Sequence, residues 1–276
     1  MFTQVTAKSG FIPEAIQKEF KNTVGKITKA YQGYNRLREV DRISRHFSQF
    51  FRPVIGSGTN LFLASARIRH QVFCEELSMF DESEDGLETD FYDSYSQHCL
   101  IQHKSSKNYA GALRLVTPED KSQILPICKI ASRYITDLRL HPERFEPEQT
   151  LEVSRVSIPK HFRRRQDDQH ASAAIGGIDT STYSETELRC FPLISVGLYM
   201  ASAAYSSHSN RKHVYFMADP KVAKSMRHIG IRFEQIGDEF EYAGTRAPFY
   251  MHYDDFVSGL KPSFKSMLET FKKTYG

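Results

Sequence analysis

The segment 151–159, LEVSRVSIP, places the tightest limit on what this chain can fold into. Its aliphatic and small residues read as a strand, yet it carries Glu152 and Arg155. A charge inside a buried strand costs several kcal/mol unless it is paired and hydrogen-bonded. A fold that accepts this strand must therefore bring other charges to it. Three consecutive arginines, Arg163, Arg164 and Arg165, follow at once.

The partners are sought among three other pieces. RIRHQVF places Arg69 and Phe73 one turn apart on a helix expected over 59–77, with Thr59 as its N-cap and Leu61, Ala64, Ile68, Val72 and Phe73 on its apolar face. The run 81–93, DESEDGLETDFYD, holds seven carboxylates and no basic residue. Arg114 lies in the strand-like GALRLV. Two arginines and a glutamate in otherwise apolar elements are all satisfied by one paired network at one site. The acidic run begins like a calcium loop, with Gly86 at loop position 6, but Tyr92 stands where a bidentate glutamate belongs and a strand is expected to follow. No metal site is expected.

Elsewhere the order of elements is that of a mixed α/β (α+β) sheet flanked by helices. Residues 1–50 read as an amphipathic helical arm, and 51–276 as the main domain. A first strand is expected near 52–58, and a hairpin from 96–104 and 108–118 joined by KSSKN. Residues 166–188, rich in Ser, Thr, Gly and Asp, read as a flexible insertion. A buried helix over 191–206, a strand over 212–219, a helix over 220–230 closed by glycine and a final hairpin complete the chain.

The apolar run 191–205 is too short for a bilayer span, which needs about 20 residues, and the N-terminus lacks a signal pattern. Four cysteines without close pairing suit free thiols in a reducing compartment, so the cytoplasm is the expected location. A net charge of +4 with acidic runs argues against a nucleic-acid partner.

The ordered set R-x-x-V-F (Arg69 to Phe73), E-x-D-x-x-D (Glu88, Asp90, Asp93), G-x-x-R-L (Arg114) and E-x-S-R (Glu152 to Arg155) resembles the acyl-homoserine lactone synthases. The chain is similar also to their relatives, the PEP-CTERM/exosortase-associated acyltransferases and N-acyl amino acid synthases, through E-x-S-R running on to F-R-R-R and through the closing motifs at 230–233, 236–237 and 241–250. The resemblance covers about residues 50–260. It implies a GNAT-like fold with 151–159 as the fourth strand, an acyl thioester donor and an amine acceptor. The donor implied is acyl carrier protein, with acyl-CoA as the less favoured alternative, because the glycines that cradle a CoA pyrophosphate are absent from FRRRQDDQ. Met226 falls where such enzymes offer a tyrosine to the leaving thiolate. Phe80 takes the place of a tryptophan, a residue this chain lacks, which points away from a homoserine lactone product.

On this reading an N-acyltransferase moves a long acyl chain to an amino acid or a related small amine, and no cofactor is needed. Glu152 serves either as the base or as the ion-pair partner of Arg69. Asp90 and Asp93 attract the acceptor's ammonium group and order the acidic loop, which Arg114 and Arg155 tie to the sheet. Backbone N–H groups near Val156 and Ser157, beside Ser154, meet the oxyanion where the strands splay. Phe191, Leu193, Ile194, Leu198, Met200, Val214 and Phe216 are candidates for an acyl tunnel, with core packing as the alternative. Arg163, Arg164 and Arg165 meet a phosphopantetheine phosphate or an acidic carrier helix, or form a solvated turn. Arg246 binds an acceptor carboxylate or braces the last hairpin. Any membrane contact would be peripheral, through the product. The competing readings are an acyl-homoserine lactone-type synthase and a non-catalytic acyl-carrier or lipid-binding protein.

Overall fold

The structure is a computed structural model that describes residues 46–163, 190 and 193–274. The expected arm lies outside these residues except for 46–50, which are helical, and the expected insertion at 166–188 lies outside them entirely.

Eight strands form one mixed sheet: β1 (Phe51–Gly56), β2 (Ser96–His103), β3 (Tyr109–Val116), β4 (Thr150–Ser157), β5 (His213–Ala218), β6 (Glu234–Gln235), β7 (Phe240–Glu241) and β8 (Thr245–His252). Their order is β1-β2-β3-β4-β5-β8-β6, with β7 paired to β8. All neighbours are antiparallel except β4 and β5. The helices are α1 (Thr59–His70), α2 (Pro126–Ile130), α3 (Lys160–Arg163), α4 (Ile194–His208), α5 (Pro220–His228), α6 (Tyr253–Gly259) and α7 (Pro262–Lys272).

β2 and β3 are almost wholly buried, as strands covered on both faces must be. One face packs on α1, where the Phe62 ring lies 5.3 Å from that of His98. α4 covers the sheet with an apolar surface buried nearly all round, from Ile194 and Val196 to Ala203 and Ala204. The expected hairpin, buried helix and strand near 212–219 are all present, and that strand pairs parallel with β4. α5 starts as its sequence dictates: Asp219 accepts the Lys221 N–H, and Pro220 occupies the first turn. Gly230, at φ +96°, closes it in a conformation that disfavours any side chain.

Two expectations about α1 are corrected. Its N-cap is Gly58, whose carbonyl accepts from Leu61 and Phe62, and not Thr59. Its buried face is Ser65, Ala66, Arg69 and His70 rather than Leu61, Ala64 and Ile68. The α-helix also ends at His70 and continues as a π-helix over Gln71–Glu76. This wider turn shifts the phase of everything that follows, so Val72 and Cys74 are the buried residues there. The acidic run ends in a short 3-10 helix, Phe91–Tyr95, before β2 begins.

Candidate active site

Strand geometry assembles the site. His98, Arg114 and Ser154 stand opposite one another on β2, β3 and β4, so their side chains share one face of the sheet. Glu152, two residues before Ser154, points the same way. Arg155, three residues from Glu152, would point to the opposite face in a regular strand. The register resolves this. Ser154 pairs with Arg114 and Ser157 with Ala112, so Arg155 and Val156 together face Leu113. This is a β-bulge. Arg155 takes φ +54°, a costly conformation for a residue with a β-carbon. The bulge turns its side chain onto the face that carries Arg114.

There the charges close into a ring. Arg69, with 0% of its surface exposed, donates to Glu88 Oε2 at 2.5 Å and to both oxygens of Asp93 at 2.7 and 3.1 Å. Arg114 donates to Asp93 at 3.1 Å, to Asp90 at 2.5 Å and to the Ser154 hydroxyl at 3.1 Å. Arg155 donates to Asp90 at 3.2 Å and to Glu88 at 2.9 Å. Each carboxylate thus bridges two arginines and each arginine two carboxylates. Three positive and three negative groups leave no net charge. Burial pushes the Asp93 carboxyl up, but the hydrogen bond and charge of Arg69, with the charge of Arg114, hold it down at about 2. The ring's backbone is anchored too: the Asp90 N–H donates to Asp93, the Tyr92 N–H donates to Asp90, and the Glu88 N–H donates to the Ala66 carbonyl.

This geometry corrects one expectation: Arg69 pairs with Glu88 and Asp93, not with Glu152. Asp90 and Asp93 each bridge two arginines. Their work is to fasten the segment 77–95 to the sheet. That segment carries Phe80, whose ring lies under the Arg155 guanidinium at 4.8 Å.

Glu152 stands apart from the ring. It is fully buried, at 0% exposure. Oε2 accepts the Ile127 N–H at 2.7 Å, while Oε1 has no hydrogen-bond partner among the described residues. Burial pushes its carboxyl up to about 8, against the Ile127 hydrogen bond and the positive charges of Arg114 and Arg155.

Glu152 also marks the point where the sheet splits. β4 and β5 pair from Thr150–His213 to Glu152–Tyr215 and no further. Beyond that point a cavity of about 420 Å³ opens between Val153, Ser154, Arg155 and Val156 on one side and Phe216, Met217, Ala218 and Asp219 on the other. Its volume is that of a small-molecule site. Phe73, Met79 and Phe80 form one wall, Val222 and Met226 of α5 another, and Tyr199 and Ser202 of α4 a third. Arg246 lines it as well, while its guanidinium donates to the carbonyls of Ala243 and Thr245 and so also braces its own hairpin.

The remaining sequence candidates separate cleanly. Ser157 is fully buried against β3, with its hydroxyl donating to the Ala112 carbonyl, and does not line the cavity. Leu193, Ile194, Leu198, Met200 and Val214 belong to the core instead of the cavity wall, and Phe191 lies outside the described residues. Arg164, Arg165 and the side chain of Arg163 lie outside them too. Glu88 opens the E-x-D-x-x-D motif, but sequence gives it no separate role; its place in the ring depends on the loop's path. Tyr199 and Met79 carry no signal beyond ordinary apolar spacing.

Residues 68–172 match the acetyltransferase (GNAT) domain family. The fold is a GNAT fold. Comparison with curated proteins returns no match. Among solved structures, the acyl-homoserine lactone synthase LasI shares 17% identity at a TM-score of 0.50, covering 76% of this chain and 96% of its own. The CoA-dependent acyl-homoserine lactone synthase BjaI, solved with SAM and isopentyl-CoA, shares 13% at 0.52, covering 80% and 89%. FeeM, an N-acyl amino acid synthase from uncultured soil microbes, shares 13% at 0.51, covering 77% and 96%. These likenesses are to the fold, which this chain shares with the synthases. Among the described residues, no helix is long and apolar enough to cross a membrane.

Proposed function

We propose that the protein is an N-acyltransferase that moves a long acyl chain from a thioester to the amine of an amino acid or a related small molecule, with Glu152 as the base. The observation that carries this reading is Glu152: a buried carboxyl lining an apolar cavity, with one oxygen free of partners among the described residues and a midpoint pushed up to about 8. A general base works best when its pKa lies near the operating pH.

In the proposed step the neutral amine attacks the thioester carbonyl carbon. Glu152 takes the proton from nitrogen, directly or through one water. The carbon–sulfur bond breaks, and the same proton passes to the departing sulfur. Backbone N–H groups on the edge of β4 beyond Glu152, left without a strand partner on the β5 side, suit the oxyanion. The neutral ring holds the Phe80 wall in place without adding net charge to the cavity. Acyl carrier protein is the favoured donor over CoA, since the glycines of a pyrophosphate cradle are missing after β4 and Met226 supplies no acid to the leaving group. The same gaps leave Glu152 as the proton's route to sulfur.

Mass spectrometry of lipid extracts from cells expressing the wild type and Glu152→Gln tests the reading. New N-acyl amides in the first and not the second support it and name both substrates. Fatty acids co-purifying with a folded protein that makes no amide would replace it with a non-catalytic acyl-binding role.

A further inference from the structure

Two buried polar atoms beside the proposed reaction centre have no hydrogen-bond partner among the described residues: the Tyr92 hydroxyl and Glu152 Oε1. Buried polar groups are nearly always paired, directly or through ordered water. Tyr92 is 9% exposed, and it shares one buried cluster with Val116, Ile127 and Tyr215. Those three are the immediate surroundings of Glu152: Val116 is its partner on β3, Tyr215 its partner on β5, and Ile127 the donor to its other oxygen. The Tyr92 ring is also fixed from the polar side, with the Arg114 guanidinium 5.7 Å from its centre. Its backbone N–H is bound by Asp90, a member of the ring.

The two atoms are chemically complementary, a phenol donor and a carboxyl acceptor, and no direct bond joins them. One water held between them would satisfy both. The neighbouring phenols cannot substitute. Tyr95 donates to the Ile124 carbonyl, and Tyr215 donates to the Leu140 carbonyl. We propose that Tyr92 is a positioning residue for Glu152, donating through one water to Oε1 and so holding the carboxylate ready to accept the proton of the attacking amine. The proposal rests on the reading of Glu152 as the base, and it gives the six-charge ring a second role, because the ring, by anchoring Asp90, sets the position of Tyr92.

The groups whose charge reaches Glu152 are Arg114 from β3, Arg155 from β4, and Asp90, Tyr92 and Tyr95 from the fastened segment, with Cys128 from α2. Burial pushes the Cys128 thiol up to about 12 and holds it neutral, so it adds no step near pH 8.

Tyr92→Phe keeps the ring and removes only the donor. Infrared titration follows the Glu152 carboxylic-acid band, identified by its loss in Glu152→Gln. Its midpoint is expected to rise by about one pH unit in Tyr92→Phe, and the acid limb of the kcat/KM profile to move with it, giving about tenfold slower transfer at pH 7 that recovers at high pH. An infrared shift in a protein that transfers no acyl group would uphold the Tyr92–Glu152 link while removing the acyltransfer reading. An unchanged infrared midpoint in a folded variant overturns the link. Should Tyr92→Phe not fold, carbon-13 at the tyrosine Cζ position reports the same contact in the wild type. One resonance must step with the Glu152 titration and lose that step in Glu152→Gln; no such resonance overturns the proposal.

Discussion

Replacing Glu152 with glutamine should make the protein's stability respond differently to pH, and the sign follows from the structure alone. The carboxyl has a folded-state midpoint of about 8 against an ordinary value of 4.5. Between those values the folded state holds one proton more than the unfolded state. Raising pH therefore pulls the equilibrium toward the unfolded chain, and the contribution is lost as pH climbs to about 8, above which both states are ionised. The slope is about 1.36 kcal/mol per pH unit. From pH 5.5 to pH 7.5 the wild type should lose roughly 3 kcal/mol relative to Glu152→Gln, which cannot ionise. Other titrating groups are common to both proteins and cancel in the difference. The assay is urea unfolding followed by far-ultraviolet circular dichroism, since the chain has no tryptophan to report by fluorescence. A difference between the two proteins that stays flat across this range would show that Glu152 is ionised in the folded state. The reading of Glu152 as a buried, nearly neutral base would then be wrong.

The charged ring gives an opposite pH response. Asp93, held down at about 2, adds stability that is full above its ordinary value of 3.8 and lost as pH falls through 2. Asp93→Asn should abolish about 2 kcal/mol of that acid-side loss, read from acid unfolding midpoints. Removing one member outright is worse. Arg69→Ala leaves Glu88 and Asp93 short of a buried counter-charge and should cost about 3–5 kcal/mol, seen as a lowered Tm; an unchanged Tm would deny that the ring is a closed unit. Met226→Trp fills the cavity from α5 and should shorten the acyl chains found in the product, or stop their transfer, with Tm nearly kept. Unaltered chain lengths in the product spectrum would mean that the acyl group lies elsewhere.

Much of the scaffold is legible in the residues because short-range rules dictate it. KSSKN between two apolar runs makes a turn, Asp219-Pro220 starts a helix, and Gly230 stops one. The candidate site is legible only in part. Arg69, Arg114, Glu152 and Arg155 are conspicuous because charge in an apolar segment demands a partner. Who pairs with whom is not legible. Glu88, Asp90 and Asp93 lie in a run of seven carboxylates, and no local rule distinguishes the three that turn inward from the four that do not. The apolar run misleads about the tunnel for a similar reason: hydrophobicity tells that a side chain is buried, not whether it meets protein or cavity.

Charge in an apolar strand obliges this chain to gather arginines and carboxylates round residues 151–159, since burial of lone charges is prohibitive. How they gather depends on contacts far apart along the chain. Strand periodicity alone sends Glu152 and Arg155 to opposite faces. The bulge at Arg155, held by Glu88 and Asp90 from a distant loop, brings Arg155 round to close the ring and leaves Glu152 outside it, at the split between β4 and β5. That arrangement balances a strained backbone against long-range ion pairs, and neither side of the balance is written in any local stretch of the chain.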